Sequence, residues 1–272
     1  SVTPKILVNA TTLVVGGGVQ VGTSFVQYAS GNEGAALDFM FAVSGAIYEN
    51  LSIELQEDER VLRFDVSPSR ILKGRRSRFL LQQLEQDFQP DIVYTLGLPS
   101  YTRFQSVEVG RYTNPWEINL TNLAWPLLPL REQLYTLLRT RYRLFWAGKA
   151  TFFETQTEAA KAGIAKRLHV PADRIKVIPN SPNPIFFSPV HSPADREPPN
   201  DETTIFCLAA GFRHKNLTII PEVAKHLKER EPDIRLRFIL TLPEESRVHT
   251  EIREASRRLG VADMIKNVGS LL

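Results

Sequence analysis

Two rhythms of apolar and polar residues alternate along this chain. Short runs rich in branched and aromatic residues at 5–10, 37–43, 61–66 and 91–96 have the length and continuity of strands buried on both faces. Between them, longer segments repeat their apolar residues every three to four positions, which predicts helices over 22–30, 47–55 and 71–88. In the last of these, Ile71, Leu72, Phe79, Leu80 and Leu84 form the expected apolar face, and Pro90 marks the stop. Strands alternating with helices predict an α/β fold built on a parallel sheet covered on both sides. A helix over 156–169 and a short strand over 175–178 close this first domain, expected over residues 1–180.

The rhythm then stops. Residues 181–202 carry Pro182, Pro184, Pro189, Pro193, Pro198 and Pro199 with almost no periodicity, which reads as a crossover between domains. Beyond it the pattern resumes: a strand over 204–209, a helix over 217–230, a strand over 235–240, a helix over 248–259 and a third strand near Ile265. This βαβαβ pattern is half of a doubly wound sheet, so 203–272 is expected to be an incomplete second domain.

The composition of the 272 residues, 43% apolar and 23% charged, is that of a folded globular chain. No apolar run approaches the roughly 18–20 residues of a membrane span. The single cysteine, Cys207, excludes an intrachain disulfide and a multi-cysteine metal site. With no basic-then-apolar leader, it predicts a reducing, cytoplasmic setting. The net charge is only +3, but twelve Lys or Arg face six Asp or Glu between Arg70 and Lys149, a local excess of +6. That imbalance suits an anionic partner. Nucleic acid is disfavoured, because Trp116 to Leu130 offers no stacking platform. Within 128–147, Leu134, Leu138 and Tyr142 form a helical stripe edged by Tyr135 and Trp146 and flanked by Arg131, Arg139, Arg141 and Arg143. Such a helix either packs its stripe on the domain core or meets an anionic lipid surface from the inner face of the membrane.

Three segments carry candidate chemistry. The run Gly16, Gly17, Gly18 is separated from the first strand and is not followed by an acidic end to the second, so it is no dinucleotide fingerprint. It is either a turn needing positive φ or a loop offering helix N–H groups to an anion. Arg213 and Lys215 stand between the first strand and first helix of the second domain, where a diphosphate could bind. The stretch 175–189, IKVIPNSPNPIFFSP, marks the crossing between domains. The five histidines are scattered and support no metal site.

Taken in order, the glycine run at 16–18, TQTEAAKAGIAKRL from Thr155, VIPN at 177–180 and the HKN turn at 214–216 resemble the family 4 ("group 1") glycosyltransferases of the GT-B fold. The resemblance implies two facing Rossmann-like domains, the acceptor mostly on the first and a nucleotide-sugar donor mostly on the second. It implies a hexosyltransferase-type reaction, as in polysaccharide biosynthesis, with retention of configuration and no obligatory metal; the nucleotide-sugar is a substrate, not a cofactor. Lys215 matches the family's diphosphate-binding lysine, Arg213 a neighbouring arginine, and Gly16 to Gly18 the loop over the donor phosphates. Arg111 to Trp116 corresponds to a segment where many members carry a histidine; here Thr113 or Asn114 would take that acceptor-side polar role. The family's glutamate pair would lie beyond Leu272, so this chain is expected to be an inactive fragment of a transferase. The competing expectation is a noncatalytic nucleotide-binding or scaffold protein of the same form.

Overall fold

The computed structural model describes residues 3–31, 36–119, 128–180, 202–208, 210–212, 215–233 and 235–270. The chain divides into two compact units, Ser1–Phe187 and Ser188–Leu272. In the first, the elements run β1 (Lys5–Ala10), α1 (Gly17–Ser30), β2 (Asp38–Ser44), the short helices α2 (Gly45–Tyr48) and α3 (Ile53–Gln56), and β3 (Val61–Phe64). They continue with α4 (Arg75–Phe88), β4 (Ile92–Thr95), β5 (Val107–Arg111), the single-turn α5 (Pro115–Ile118), α6 (Leu130–Ala147), β6 (Phe152–Thr155), α7 (Glu158–Leu168) and β7 (Ile175–Val177). All seven strands are parallel, in the order β3-β2-β1-β4-β5-β6-β7. The second unit holds β8 (Glu202–Cys207), α8 (Ile220–Arg230), β9 (Arg235–Leu240), α9 (Arg247–Arg258) and β10 (Ile265–Asn267), paired in parallel as β10-β9-β8. The α/β class and the two parallel sheets are those the sequence pattern predicts. Most of the crossover, 181–201, lies outside the described residues, and Glu202 already belongs to β8.

Packing explains each departure from the predicted elements. α1 begins at Gly17, five residues before the expected Gly22, so the glycine run is the helix start and not a separate loop. Gly16 stands at the N-cap with φ 64° and ψ −150°, a backbone conformation that side chains with a Cβ rarely adopt. Val19, Gly22, Thr23, Val26 and Ala29 then form the buried face. At Gly22 a Cβ would come within 2.4 Å of Ile47 Cδ1, so glycine is what lets α1 approach α2. The single helix expected over 47–55 is instead α2 and α3, because Ser44 caps the first and Ser52 starts the second from an extended conformation.

α4 starts at Arg75, leaving Ile71 and Leu72 exposed in the preceding turn. There the Arg78 guanidinium binds the carbonyl oxygens of Pro68, Arg70 and Ile71 at 2.5, 3.2 and 2.7 Å. Its buried stripe is Ser77, Leu81 and Glu85, while Phe79 and Leu80 face solvent. The polar members of that stripe have internal partners. Ser77 Oγ donates to the Val66 carbonyl at 2.6 Å, and Glu85 accepts from the backbone N–H groups of Gln105 and Ser106, both at 2.7 Å. β5 and β6, which the pattern did not predict, carry Glu108, Arg111 and Glu154 inside short strands, and those charges broke the apolar runs.

α6 is rotated away from the core-packing expectation. Thr140 and Ala147 are its buried positions, whereas Leu134 and Leu138 are exposed. Tyr142 stacks on Tyr101 with ring centroids 5.8 Å apart. Arg143, expected among the solvent-facing arginines, turns inward to pair with buried Glu117. No described helix is long and apolar enough to cross a membrane.

The Glu85 contacts give a direct test. Glu85→Ala should cost about 2–3 kcal/mol of unfolding free energy, because it strips a charged acceptor from two backbone donors. Amide exchange at Gln105 and Ser106 should accelerate well beyond that of the β4 amides; unchanged protection at both would contradict the assignment.

Candidate functional site

In the first sheet the strand order reverses between β1 and β4, and open parallel sheets bind ligands beyond the carboxyl ends of the strands at such a point. The loop after β1 is tied to the loop after β4 by Thr12 Oγ1 donating to the Gly97 carbonyl at 2.7 Å. It is tied to the end of β2 by Ser44 Oγ donating to the Leu13 carbonyl at 2.5 Å. This loop delivers Gly16, Gly17 and Gly18 to the rim. A Cβ on Gly16 or Gly17 would meet nothing within 4 Å, so their surroundings are open, while Gly18 packs toward Leu13. Conformation accounts for Gly16, and the first N–H groups of α1 face the same edge.

Further along the edge, Thr113 is exposed and Asn114 starts α5, its Oδ1 accepting from the Trp116 N–H at 3.2 Å. That oxygen is therefore committed to a helix cap. The polar groups gathered beside it were not singled out by sequence reasoning. Arg111, at the end of β5, donates to Asn180 Oδ1 at 2.5 Å and lies 3.4 Å from the Glu154 carboxylate through Nε. That Nε is buried within ion-pair distance but without hydrogen-bond geometry. Tyr94 from β4 donates to the other oxygen of Glu154, and its hydroxyl is driven above its ordinary pKa by burial and by that carboxylate. Charged residues inside short strands were the available signal, together with the asparagine of VIPN.

Beneath the edge lies a buried polar chain. Asn9 Nδ2 donates to Thr95 Oγ1 at 3.4 Å, and Thr95 Oγ1 donates to Glu108 Oε1 at 2.7 Å. Burial lifts the Glu108 carboxyl to about 7, against the opposing pull of the Thr95 and Ser100 hydroxyls.

In the second unit Lys215 is exposed in the turn between β8 and α8, with its N–H bonded to the Phe212 carbonyl at 2.9 Å. Asn216 follows at φ 49° and ψ 36° and begins the 3₁₀ turn Leu217–Ile219 that leads into α8, with no side-chain cap bond. Arg213 lies outside the described residues. On the same carboxyl edge, the loop after β9 and the end of β10 form a recess lined by Glu244, His249, Arg253 and Asn267. Asn267 holds it in shape by pairing with both the N–H and the carbonyl of Leu242, each at 2.9 Å. Thus Gly16 to Gly18, Thr113 and Asn114 share one edge of the first unit, and Lys215 stands on the corresponding edge of the second. Among the described residues no cluster of three or more His, Cys, Asp or Glu could hold a metal ion.

Solved structures repeat this architecture. A glycosyltransferase from Rickettsia africae superposes with a TM-score of 0.63 at 16% identity, over 99% of this chain and 69% of that one. The chain has a GT-B-like fold. The Anabaena protein HepE, solved in complex with UDP and glucose, shares the GT-B-like fold with a TM-score of 0.62 and 14% identity, over 99% of this chain and 70% of its own. A UDP-GlcNAc 2-epimerase from Neisseria meningitidis, bound to UDP-GlcNAc, is more distant: TM-score 0.51 and 10% identity over 98% and 72%. No protein-family profile matches the chain, and no curated protein does.

The elevated Glu108 pKa makes the stability of this GT-B-like chain depend on pH with a definite sign. The unfolded carboxyl, near its ordinary 4.5, releases its proton before the folded one does at about 7. The folded state therefore binds more protons across that window. The contribution of Glu108 is fully present below about pH 4.5 and is lost, to the extent of about 3 kcal/mol, as pH rises past about 7. Glu108→Gln keeps the acceptor for Thr95 and should flatten this slope in urea unfolding followed as a function of pH. A slope unaltered by the substitution would show that Glu108 does not titrate in this way.

Proposed function

We propose that this chain carries out, or contributes to, transfer of a sugar with retention of configuration, from a nucleotide-sugar donor to a glycan or lipid-linked acceptor in the cytoplasm. The observation that carries the reading is the position of Lys215, in the turn after the first strand of a parallel β10-β9-β8 sheet. The same overall architecture occurs in HepE, solved with UDP and glucose. A diphosphate at that turn would meet a mobile cation from Lys215, a guanidinium from Arg213 and the N–H groups opening the helix beneath. As the bond between sugar and phosphate breaks, negative charge grows on the departing diphosphate. Lys215 and Arg213 then stabilise the transition state more than the bound donor. No obligatory metal is required when those cations carry the charge. On the first unit, the Thr113 hydroxyl and the Asn114 amide N–H would orient the acceptor. The resemblance at TQTEAAKAGIAKRL, VIPN and HKN favours transfer over epimerisation, since the GT-B-like fold serves both activities.

Calorimetric titration with UDP and other nucleoside diphosphates, followed by a transfer assay over a panel of nucleotide sugars, tests the reading. Lys215→Ala should weaken diphosphate binding about tenfold or more, through loss of one charge-assisted contact. It should slow transfer by a further factor worth about 2–4 kcal/mol. Because Lys215 is exposed, stability should stay within about 0.5 kcal/mol. Binding unchanged in the variant would refute the phosphate role. Nucleotide binding without turnover of any sugar would instead establish the noncatalytic alternative.

A further inference from the structure

Between β4 and β5 the chain crosses back without a helix, as the segment 96–106 laid against α4. Gln82 Nε2 donates to the Arg103 carbonyl at 3.2 Å, and Glu85 accepts from the Gln105 and Ser106 N–H groups, so successive turns of α4 pin the segment. It bends at Tyr101, whose φ of 56° is a left-handed conformation that a bulky residue adopts only when its surroundings hold it there. The bend buries the Tyr101 ring, whose hydroxyl accepts from Arg143 at 2.9 Å, and leaves Arg103 in solvent two residues later.

The result is a recess of about 270 Å³ on the flank of the first unit, between α4, this segment and the C-terminal end of α6. Arg75, Arg78 and Arg103 supply its charge, Phe79 and Trp146 its aromatic wall, and no acidic side chain lines it. Arg78 is held by the carbonyl oxygens of Pro68, Arg70 and Ile71, so its position is fixed while its charge meets no carboxylate. Arg75 and Arg103 are exposed, and neither side chain has a hydrogen bond or ion pair among the described residues. Three guanidinium groups around one hollow repel each other, and an anion relieves that repulsion. A phosphate monoester, with a charge of about −1.5 to −2 at pH 7 and three acceptor oxygens, matches them better than a single carboxylate does. The rest of the lining fits what such a phosphate is attached to. The Phe79 and Trp146 rings offer apolar faces to the C–H face of a sugar, and Gln82 keeps its amide oxygen for a hydroxyl. The volume lies below the roughly 300–1,000 Å³ of sites that enclose larger ligands, which suits a single sugar residue.

We propose that this recess binds a sugar phosphate, with the phosphate on Arg75, Arg78 and Arg103 and the sugar ring against Phe79 and Trp146. On the transfer reading, on which this role alone rests, the ligand is a phosphorylated residue of the acceptor glycan.

The indole N–H of Trp146, assigned by its disappearance in Trp146→Phe, reports on the recess in nitrogen–proton correlation spectra of the 272-residue chain. Glucose 6-phosphate should shift that signal saturably at low salt and less at high salt, while glucose alone should leave it in place. Arg75→Gln with Arg103→Gln should weaken binding at least tenfold through loss of two charge-assisted contacts, with the circular dichroism unchanged because both side chains are exposed. Phe79→Ala should weaken glucose 6-phosphate while sparing inorganic phosphate, and Lys225→Gln with Lys266→Gln, on the second unit, should alter neither. Absence of any shift would overturn the proposal, as would an equal loss in the two charge-removal variants. Equal affinity for inorganic phosphate reduces the recess to a bare anion site, equal affinity for glucuronate removes the preference for phosphate, and tighter binding of AMP assigns it to nucleotides; each of these also overturns it. Titration with UDP keeps the two readings apart: its failure to bind the unaltered chain counts against sugar transfer, whereas failure of glucose 6-phosphate counts against this site.

Discussion

Burying the Glu117 carboxylate beside the Arg143 guanidinium takes two charges out of water, and their attraction offsets that loss only when the remaining polar atoms also find partners. They do. Tyr112 donates its hydroxyl to Glu117 at 2.6 Å, Arg143 reaches the Tyr101 hydroxyl at 2.9 Å, and Arg167 binds the Glu117 carbonyl at 3.2 Å. The cluster joins the segment after β5, α5, α6, α7 and the loop after β4. It also fixes the rotation of α6. With Arg143 inward, the opposite face carrying Leu130, Leu134 and Leu138 must point outward, against the preference of leucine for a core. The exposed apolar face and the aromatic wall of the basic recess both follow from that one orientation.

The second constraint is the all-parallel sheet. Parallel strands need a crossover after each strand, so every strand ends in a loop on the same edge, and polar side chains from distant segments gather there. Arg111, Glu154 and Asn180 meet on this edge although they come from β5, β6 and the segment after β7. Interior strands leave little room for water, so a charge on them must be shared or neutralised. Glu154 is shared between Arg111 and Tyr94; Glu108 meets only hydroxyls and holds its proton more tightly.

The GT-B-like fold supplies such an edge on each unit without specifying a reaction. A transferase and an epimerase have similar architectures, so the fold alone does not set the reaction. In this chain the two edges differ in character. The first unit offers glycines, a capping asparagine and a charged network paired internally except at Arg111 Nε. The second offers an exposed Lys215 and a recess shaped by Asn267.

The sequence by itself determined the alternation of strands and helices, since continuous apolar runs and 3.6-residue periodicity are local properties. β1, β9 and α8 fall within the predicted segments, and the turn bearing Lys215 lies where the spacing put it. Local pattern failed where a long-range partner outweighed it. β5 and β6 were hidden by Glu108, Arg111 and Glu154, whose partners come from as far as 60 and 69 residues away. Ser77 and Glu85 took the buried face of α4 from Phe79 and Leu80, because distant backbone groups required their hydrogen bonds. Gly16 was legible as a special position, but its role as the N-cap of α1 needed the φ angle. The direction of α6 was decided by tertiary structure alone: periodicity shows that a helix has an apolar stripe, while the satisfied Glu117–Arg143 pair, 26 residues apart, determines that the stripe faces outward.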